Sequence, residues 1–526
     1  MAELRRSRFS RGHRTLVALG LASLLMLPAA GAGPMVRAGA TGAGDAVPER
    51  TWTSAGATPA ALPQPPPNIL FVLLDDMREE GVMDAPEVLP RTKQWLQAGG
   101  TTFTQGYVTS SLCCPERATV WSGRVPHNHG VFDNYTGDNL DRNWITPRYL
   151  GDAGYRTALV GKFITDWKFR YEPPNFDDYA AFQGGYADAL FWVKDPGAVK
   201  RRSERAGFST DFIADKAIQY IDAYEAQDDQ PWFMQVAPHP PHNITEATRT
   251  QCDLGALYDW PARHDATPVP AWKPTPAVTV EGNNSAEKAD KNPYVHHRTF
   301  PTDCAEVTHT GHMKTLLAAD EMVDRIMTTL QANGELDRTL VIFTSDNGFA
   351  WGERGMTSKA LPYTEHVKVP FLVRWDGVFP AGGVDQRQVS GEDFLPTYLQ
   401  AAGYAPPELG YPLDGRSFLP GESGRDVKYL EFGPVGRRSP PGYQGHRSIP
   451  TWASLRTPTW QYIEYYEADN TTVQFREYYD LSTDPWEISN LLADADPTND
   501  PDVAGLSSRL QQLWTCAGTS GTNPCP

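Results

Sequence analysis

The sequence predicts an α/β protein: a large, mostly parallel sheet flanked by helices, followed by a small antiparallel sheet and a closing helix. Three observations carry this expectation. Unbroken apolar runs of strand length recur, the first being Ile69-Leu70-Phe71-Val72-Leu73-Leu74, and a run without polar alternation suits a strand buried on both faces. Segments with apolar residues at helical spacing lie between such runs, and alternation of the two makes a layered α/β architecture. Past residue 420 the texture changes to short strands close together in sequence.

The elements follow in order. After the first strand, Glu87 to Ala98 reads as a helix stopped by Gly99-Gly100, and Thr102 to Val108 reads as a strand. Strand-and-turn units recur at Thr157 to Val160 before Gly161-Lys162, at Pro231 to Ala237 before Pro238-His239, and at Thr339 to Thr344 before Ser345-Asp346-Asn347. His312 to Asn333 carries Leu316, Leu317, Met322, Val323, Ile326, Met327 and Leu330 at helical spacing. Trp452 to Leu455, Trp460 to Tyr466 and Phe475 to Asp480 read as the small sheet, and Leu506 to Trp514 as its helix. The expected organisation is 1–32, 33–66, a main domain at 67–420 and a C-terminal α+β subdomain at 421–526.

The two leading segments have their own chemistry. Arg5, Arg6, Arg8, Arg11 and Arg14 precede a Leu/Ala-rich run from Leu16 to Ala30, and Ala30-Gly31-Ala32 fits a small-residue cleavage site. This is the three-part pattern of a secretory signal peptide, and the apolar run is short for a membrane span. Export through the general or the twin-arginine route is left open. Residues 33–66 are rich in Ala, Gly and Pro and read as a disordered or extended leader. The expected location is therefore secreted, periplasmic or cell-surface.

Composition narrows the function. The chain has 526 residues, 47 Lys+Arg and 64 Asp+Glu, for a net charge of −17. Such acidity excludes a non-specific nucleic-acid binder, which needs a basic face, but not an anionic substrate met by a local group of cations. Hydrophobic residues make up 40% and charged residues 21%, a globular composition with no membrane span expected in the mature chain. The six cysteines include Cys252 and Cys304 around an irregular stretch, and Cys516 and Cys525 around a short loop; both are plausible disulfides in an exported chain. Cys113 and Cys114 are adjacent, where a disulfide would be strained.

Polar residues cluster directly after apolar strands, the positions that line the ligand crevice of an open α/β sheet. Asp75-Asp76 and Asp346-Asn347 lie there, and three carboxylates with one amide make a hard oxygen site for Ca²⁺ or Mg²⁺ rather than zinc. By itself either pair reads more readily as a helix cap or turn.

The segment Cys113-Cys114-Pro115-Glu116-Arg117 resembles the Cys-x-Pro-x-Arg signature of the sulfatases, in the alkaline-phosphatase superfamily. Gly154-Tyr155-Arg156-Thr157 with Gly161-Lys162, Ser345-Asp346-Asn347-Gly348, and Tyr479-Asp480-Leu481 with Asp484-Pro485-Trp486-Glu487 and Asn490-Leu491 follow in the family's order. The resemblance spans Asn68 to Leu492. Ser111-Leu112-Cys113-Cys114-Pro115, with Pro126-His127-Asn128-His129-Gly130, is most similar to the N-acetylglucosamine-6-sulfatase-like subgroup.

The resemblance implies an alkaline-phosphatase-like fold and sulfate-monoester hydrolysis, of a sulfated sugar or of an aryl or alkyl alcohol. It implies that Cys113 is oxidised to formylglycine (3-oxoalanine) by a formylglycine-generating enzyme. The hydrated aldehyde attacks sulfur, the alcohol leaves, and the second hydroxyl collapses to release sulfate. Asp75, Asp76, Asp346, Asn347 and the modified Cys113 would hold the metal, Ca²⁺ with Mg²⁺ as the alternative. Arg117 would orient the nucleophile, Lys162 and Lys359 would contact sulfate, and His239, with His242 as rival, would protonate the leaving group.

Two departures stand out. Glu116 occupies a place the family commonly fills with a small residue, which bears on maturation. Phe163-Ile164-Thr165 stand where many relatives carry a His after Gly-Lys. The rival readings are a phosphodiesterase or phosphonate monoester hydrolase of the same superfamily, and a carbohydrate-binding homologue with unmodified Cys113. Asn347 stands where a second metal site would need another ligand, which favours one metal and sulfate.

Overall fold

A computed structural model describes residues 62–165, 167–244, 252–433 and 449–526. The expected signal peptide, 1–32, and most of the expected leader, 33–66, lie outside these residues. Ten strands form one sheet: β1 Asn68–Leu74, β2 Thr101–Gly106, β3 Arg156–Lys162, β4 Asp178–Phe182, β5 Leu190–Lys194, β6 Arg202–Arg205, β7 Trp232–Ala237, β8 Thr339–Ser345, β9 Leu372–Arg374 and β10 Gly383–Val389. Their order is β10-β2-β9-β8-β1-β7-β3-β4-β5-β6, with β9 and β5 running against the rest. The expected mixed, mostly parallel sheet is therefore present.

Strand β1 explains the architecture. It lies between β7 and β8 and is parallel to both. Leu70, Val72 and Leu74 pack with Met322, Val323 and Ile326 of the Thr302–Asn333 helix on one face. Ile69, Phe71 and Leu73 pack with Ala118, Trp121, Phe394 and Tyr398 on the other. Successive side chains enter opposite layers, so an unbroken apolar run is what the strand requires. Each such side chain contributes about 1.5–3 kcal/mol on burial.

Two helices differ from expectation. The first runs as a turn at Pro90–Thr92 and continues as a π-helix at Lys93–Ala98, instead of starting at Glu87. Pro90 takes the first helical position, where its missing N–H costs nothing. The second starts at Thr302, ten residues before His312. Its polar first turns hide the helix in the sequence, although Cys304, Ala305, Thr308 and His309 are buried.

Strands β11 Lys428–Phe432, β12 Trp452–Arg456, β13 Trp460–Tyr466 and β14 Val473–Asp480 form the antiparallel sheet. The Val503–Leu513 helix packs Leu510 and Leu513 on Tyr429, Leu455 and Tyr462. Disulfides join Cys252 to Cys304 and Cys516 to Cys525, with Cα separations of 5.1 and 5.0 Å; Cys113 and Cys114 are buried thiols.

Candidate active site at the strand ends

The adjacent parallel strands β8, β1, β7 and β3 end on the same edge of the sheet. Asp346-Asn347 follow β8, Asp75-Asp76 follow β1, His239 follows β7, and Lys162 ends β3. Gly161 makes the last placement possible. Its φ is +118°, and a Cβ there would overlap the carbonyl of Ala237 on β7, so only glycine lets β3 close on its neighbour. Asp76 has φ +72°, a left-handed conformation that persists only where surrounding bonds hold it.

Cys113 enters from above, at the start of the Cys113–Ser122 helix. Its Sγ lies 3.4 Å from Asp75 Oδ1 and 2.7 Å from Lys359 Nζ. Lys359 also pairs with Asp76, and Lys162 with Asp75. Arg117 Nε donates to Asp346 Oδ2 at 2.7 Å, and Nη1 to the Lys162 carbonyl at 3.1 Å. The Asp76 amide donates to Asp346 Oδ1 at 3.2 Å, and Asn347 Nδ2 to Asp76 Oδ1 at 2.6 Å. Eight of the nine residues expected at the site thus fall near one point, and the ninth, His239, lies at its side.

The charges hold one another. Burial alone would raise the Asp75 carboxyl, but Lys162, His242, Arg117 and Lys359 together hold it well below the usual carboxylate range. Burial likewise opposes ionisation of Asp76, and Lys359 and His242 overcome it. Burial and the charge of Asp75 push Asp346 up, against Arg117. Burial also disfavours both ammonium groups, yet Asp75 beside Lys162 and Asp76 beside Lys359 hold them above the usual lysine range. Burial, with Asp75, pushes the Cys113 thiol up, away from thiolate.

Four buried polar atoms here have no hydrogen-bond partner among the described residues: Asp76 Oδ2, Asn347 Oδ1, Arg117 Nη2 and His239 Nδ1. Buried polar atoms in native proteins are almost always satisfied. Two of the four are oxygens, on residues of a hard oxygen donor set, so the residues present fit a divalent cation.

His242 joins this group more closely than its place in the sequence shows. Its Nε2 lies 3.5 Å from Asp76 Oδ2, and one ligand atom each from Asp75, Asp76, Cys113 and His242 lie within 4.8 Å of one another. The chain turns at Pro240-Pro241, where the Asp75 amide donates to the Pro240 carbonyl at 3.2 Å. His239 is sealed against Gly184 and Tyr186; burial and then His242 lower it to about 3, so it is neutral.

Other motif residues serve the framework. His127 Nδ1 meets Glu431 on β11 at 3.0 Å and its Nε2 the Cys516 carbonyl at 3.0 Å. His129 Nε2 bonds to Thr119 Oγ1 at 3.0 Å. Phe163 and Ile164 are core residues. Glu116 is buried, and its Oε2 accepts from the amides of Thr109 and Ser110 at 2.9 and 3.1 Å.

Residues 67–404 match the sulfatase family. The chain belongs to this family. Residues 352–515 also match the family described as N-sulphoglucosamine sulphohydrolase, C-terminal. The sulfatase is 28% identical to an arylsulfatase of Volvox carteri, over 87% of this chain and 76% of that one. It is 27% identical to N-acetylglucosamine-6-sulfatase of Capra hircus, over 87% and 85%, and 25% identical to N-acetylglucosamine-6-O-sulfatase of Bacteroides thetaiotaomicron, over 82% and 83%. Its fold is similar to a structure solved with its substrate D-glucosamine-2-N,6-O-disulfate, with TM-score 0.63 and 22% identity over 85% of this chain and 97% of that one. It is equally similar to phosphonate monoester hydrolase of Agrobacterium radiobacter, with TM-score 0.64 and 21% identity over 85% and 95%. The sulfatase is a sulfuric ester hydrolase.

Proposed function

We propose that this sulfatase is exported and removes sulfate from a sulfated sugar, with formylglycine at position 113 and one divalent cation, Ca²⁺ or Mg²⁺. The convergence of Asp75, Asp76, Asp346, Asn347, Lys162 and Lys359 on Cys113 carries this reading. The names of the N-acetylglucosamine-6-sulfatase relatives support a glucosamine-type substrate. The signal-like N-terminus supports export.

Asp75, Asp76, Asp346 and Asn347 would hold the cation, which supplies positive charge beside the reacting oxygen. Formylglycine at 113, once hydrated, would supply one hydroxyl as nucleophile and a second for release of sulfate. Lys359 bridges position 113 and Asp76, where it can hold the nucleophile and meet a sulfate oxygen. Lys162 faces the same point from Asp75. Two fixed ammonium groups in a buried site stabilise charge that develops there without having to reorganise. Arg117 ties the end of β8 to β3, and its Nη2, which makes no hydrogen bond, lies 3.8 Å from Asp75 Oδ2. His239 and His242, with ring centroids 4.9 Å apart, stand on the leaving-group side. The Nδ1 of His242 lies 2.6 Å from the Asn243 carbonyl, which places its proton there and leaves Nε2 facing the site. With side-chain exposure of 25%, His242 is the ring that solvent reaches.

The test is mass spectrometry of the Cys113 peptide from the native host, followed by assay on 6-sulfated glucosamines against aryl sulfates and phosphonate monoesters. An aldehyde at 113 and turnover of the sulfated sugar are expected, and both should vanish in Cys113→Ala. An unmodified thiol in active enzyme would overturn the mechanism. Faster turnover of phosphonates would overturn the substrate class.

A further inference from the structure

We propose that Glu116 is a positioning residue, whose buried carboxyl clamps the turn that delivers Cys113 and, through Ser111, keeps the Lys359 loop in register with it. The proposal rests on the reading of Cys113 as the nucleophile position.

Glu116 lies on the first turn of the Cys113–Ser122 helix and is 2% exposed. Its Oε2 reaches back to the amides of Thr109 and Ser110. These two amides begin the turn that leads into Cys113, and leaving both without an acceptor in a buried place is costly. The next residue, Ser111, joins the other half of the site. Its carbonyl accepts from the Ala360 amide at 2.9 Å, and its hydroxyl donates to the Leu361 carbonyl at 2.9 Å. Cys113 lies two residues after Ser111, and Lys359 one residue before Ala360. Their side chains meet at 2.7 Å. The 109–111 turn is therefore the strut that sets this separation, and Glu116 holds the strut.

The clamp has a second jaw. Thr109 Oγ1 bonds to Glu392, and Lys428 on β11 bonds to Glu392 and to Thr109 Oγ1. The antiparallel sheet thus reaches the nucleophile turn through Lys428. Space for Glu116 is provided by Gly391: a methyl added there would overlap Glu116 Oε1. A small residue, which the family resemblance leads one to expect at position 116, would offer neither amide this acceptor.

Glu116→Ala, Glu116→Gln and Gly391→Ala test this in the full-length enzyme. Hydrogen exchange of 107–112 and 357–363 is measured alongside kcat and KM, with kcat expressed per mole of formylglycine. Glu116→Ala should speed exchange in both segments and lower kcat roughly 10- to 100-fold, the scale of a small misplacement of reacting groups, with KM within about twofold. Glu116→Gln keeps an acceptor oxygen and should restore most of kcat and protection. Gly391→Ala should harm the wild type and be tolerated beside Glu116→Ala. Unchanged exchange at 357–363, unchanged kcat, or equal losses in Ala and Gln would each overturn the proposal. Absence of formylglycine in the wild type would overturn the mechanism instead, and the exchange data would still decide the clamp.

Discussion

Both sheets bury carboxylates, but they treat them differently. In the antiparallel sheet, Glu464 accepts from Tyr462, Tyr466 and Arg476. Glu477 accepts from the Asn292 amide, Tyr363 and Tyr479, and Glu431 from His127 and Tyr429. Every oxygen of these three has a partner. At the strand ends of the large sheet, Asp76 and Asn347 each keep one buried oxygen without a hydrogen bond. Burial of charge alone therefore does not mark a site here. Nor does incomplete satisfaction alone, since both oxygens of buried Glu281 also lack a hydrogen bond; what distinguishes the strand ends is that the unsatisfied oxygens of Asp76 and Asn347 lie together beside Lys162 and Lys359.

The sharpest way to break this comparison is at Lys359. Lys359→Met should lower kcat about 10³-fold, or about 4 kcal/mol of transition-state stabilisation, in enzyme whose formylglycine content matches wild type. A drop of less than tenfold would move Lys359 out of the reacting set.

The satisfied region should instead respond to pH. Burial opposes protonation of His127, but Glu431 raises it to about 9. A histidine raised in the folded state stabilises fully below its unfolded value, about 6.5, and the gain is lost as pH rises through 9. The gain is at most about 3 kcal/mol. The Tm gap between wild type and His127→Gln should therefore narrow from pH 6 to pH 10. A gap independent of pH would remove the ion pair from the stability account.

Cation binding separates the regions directly. Ca²⁺ at a hundred times its Kd should stabilise chelator-treated enzyme by about 2.7 kcal/mol, and Asn347→Ala should abolish most of that shift. Glu477→Gln should leave the shift intact while costing about 2 kcal/mol of stability and changing kcat less than twofold. If both variants lost the calcium shift equally, the contrast between the sheets would fail.

The parts of the fold legible in sequence share one physical trait. β1 and β8 are buried on both faces, so their residues are apolar without interruption. β6 and β10 lie at the sheet edges and carry polar residues such as Arg202, Glu204, Asp385 and Gln388, so nothing in their local pattern marks a strand. β4, with Asp178 paired to Arg156, is too short and polar at its start to stand out. At the site, residues directly after apolar strands were readable from local order. Lys359 lies in a loop, and only the family's order of motifs points to it. The nearness of His242 to Asp76 depends on the path through Pro240-Pro241. The role of Glu116 depends on amides seven and six residues earlier, which no side-chain pattern encodes.

The central position of β1 also has a consequence in time. A ribosome completes β1 and Cys113 long before it reaches β8, the strand that closes one side of β1 and carries Asp346. More than two hundred residues separate them. At about 5–20 residues per second, Cys113 waits roughly 10 to 50 s before the chain that completes its surroundings exists. A residue that ends at 2% exposure thus spends that interval without the strand that completes its surroundings, and the order of strands in the sheet sets the length of the interval.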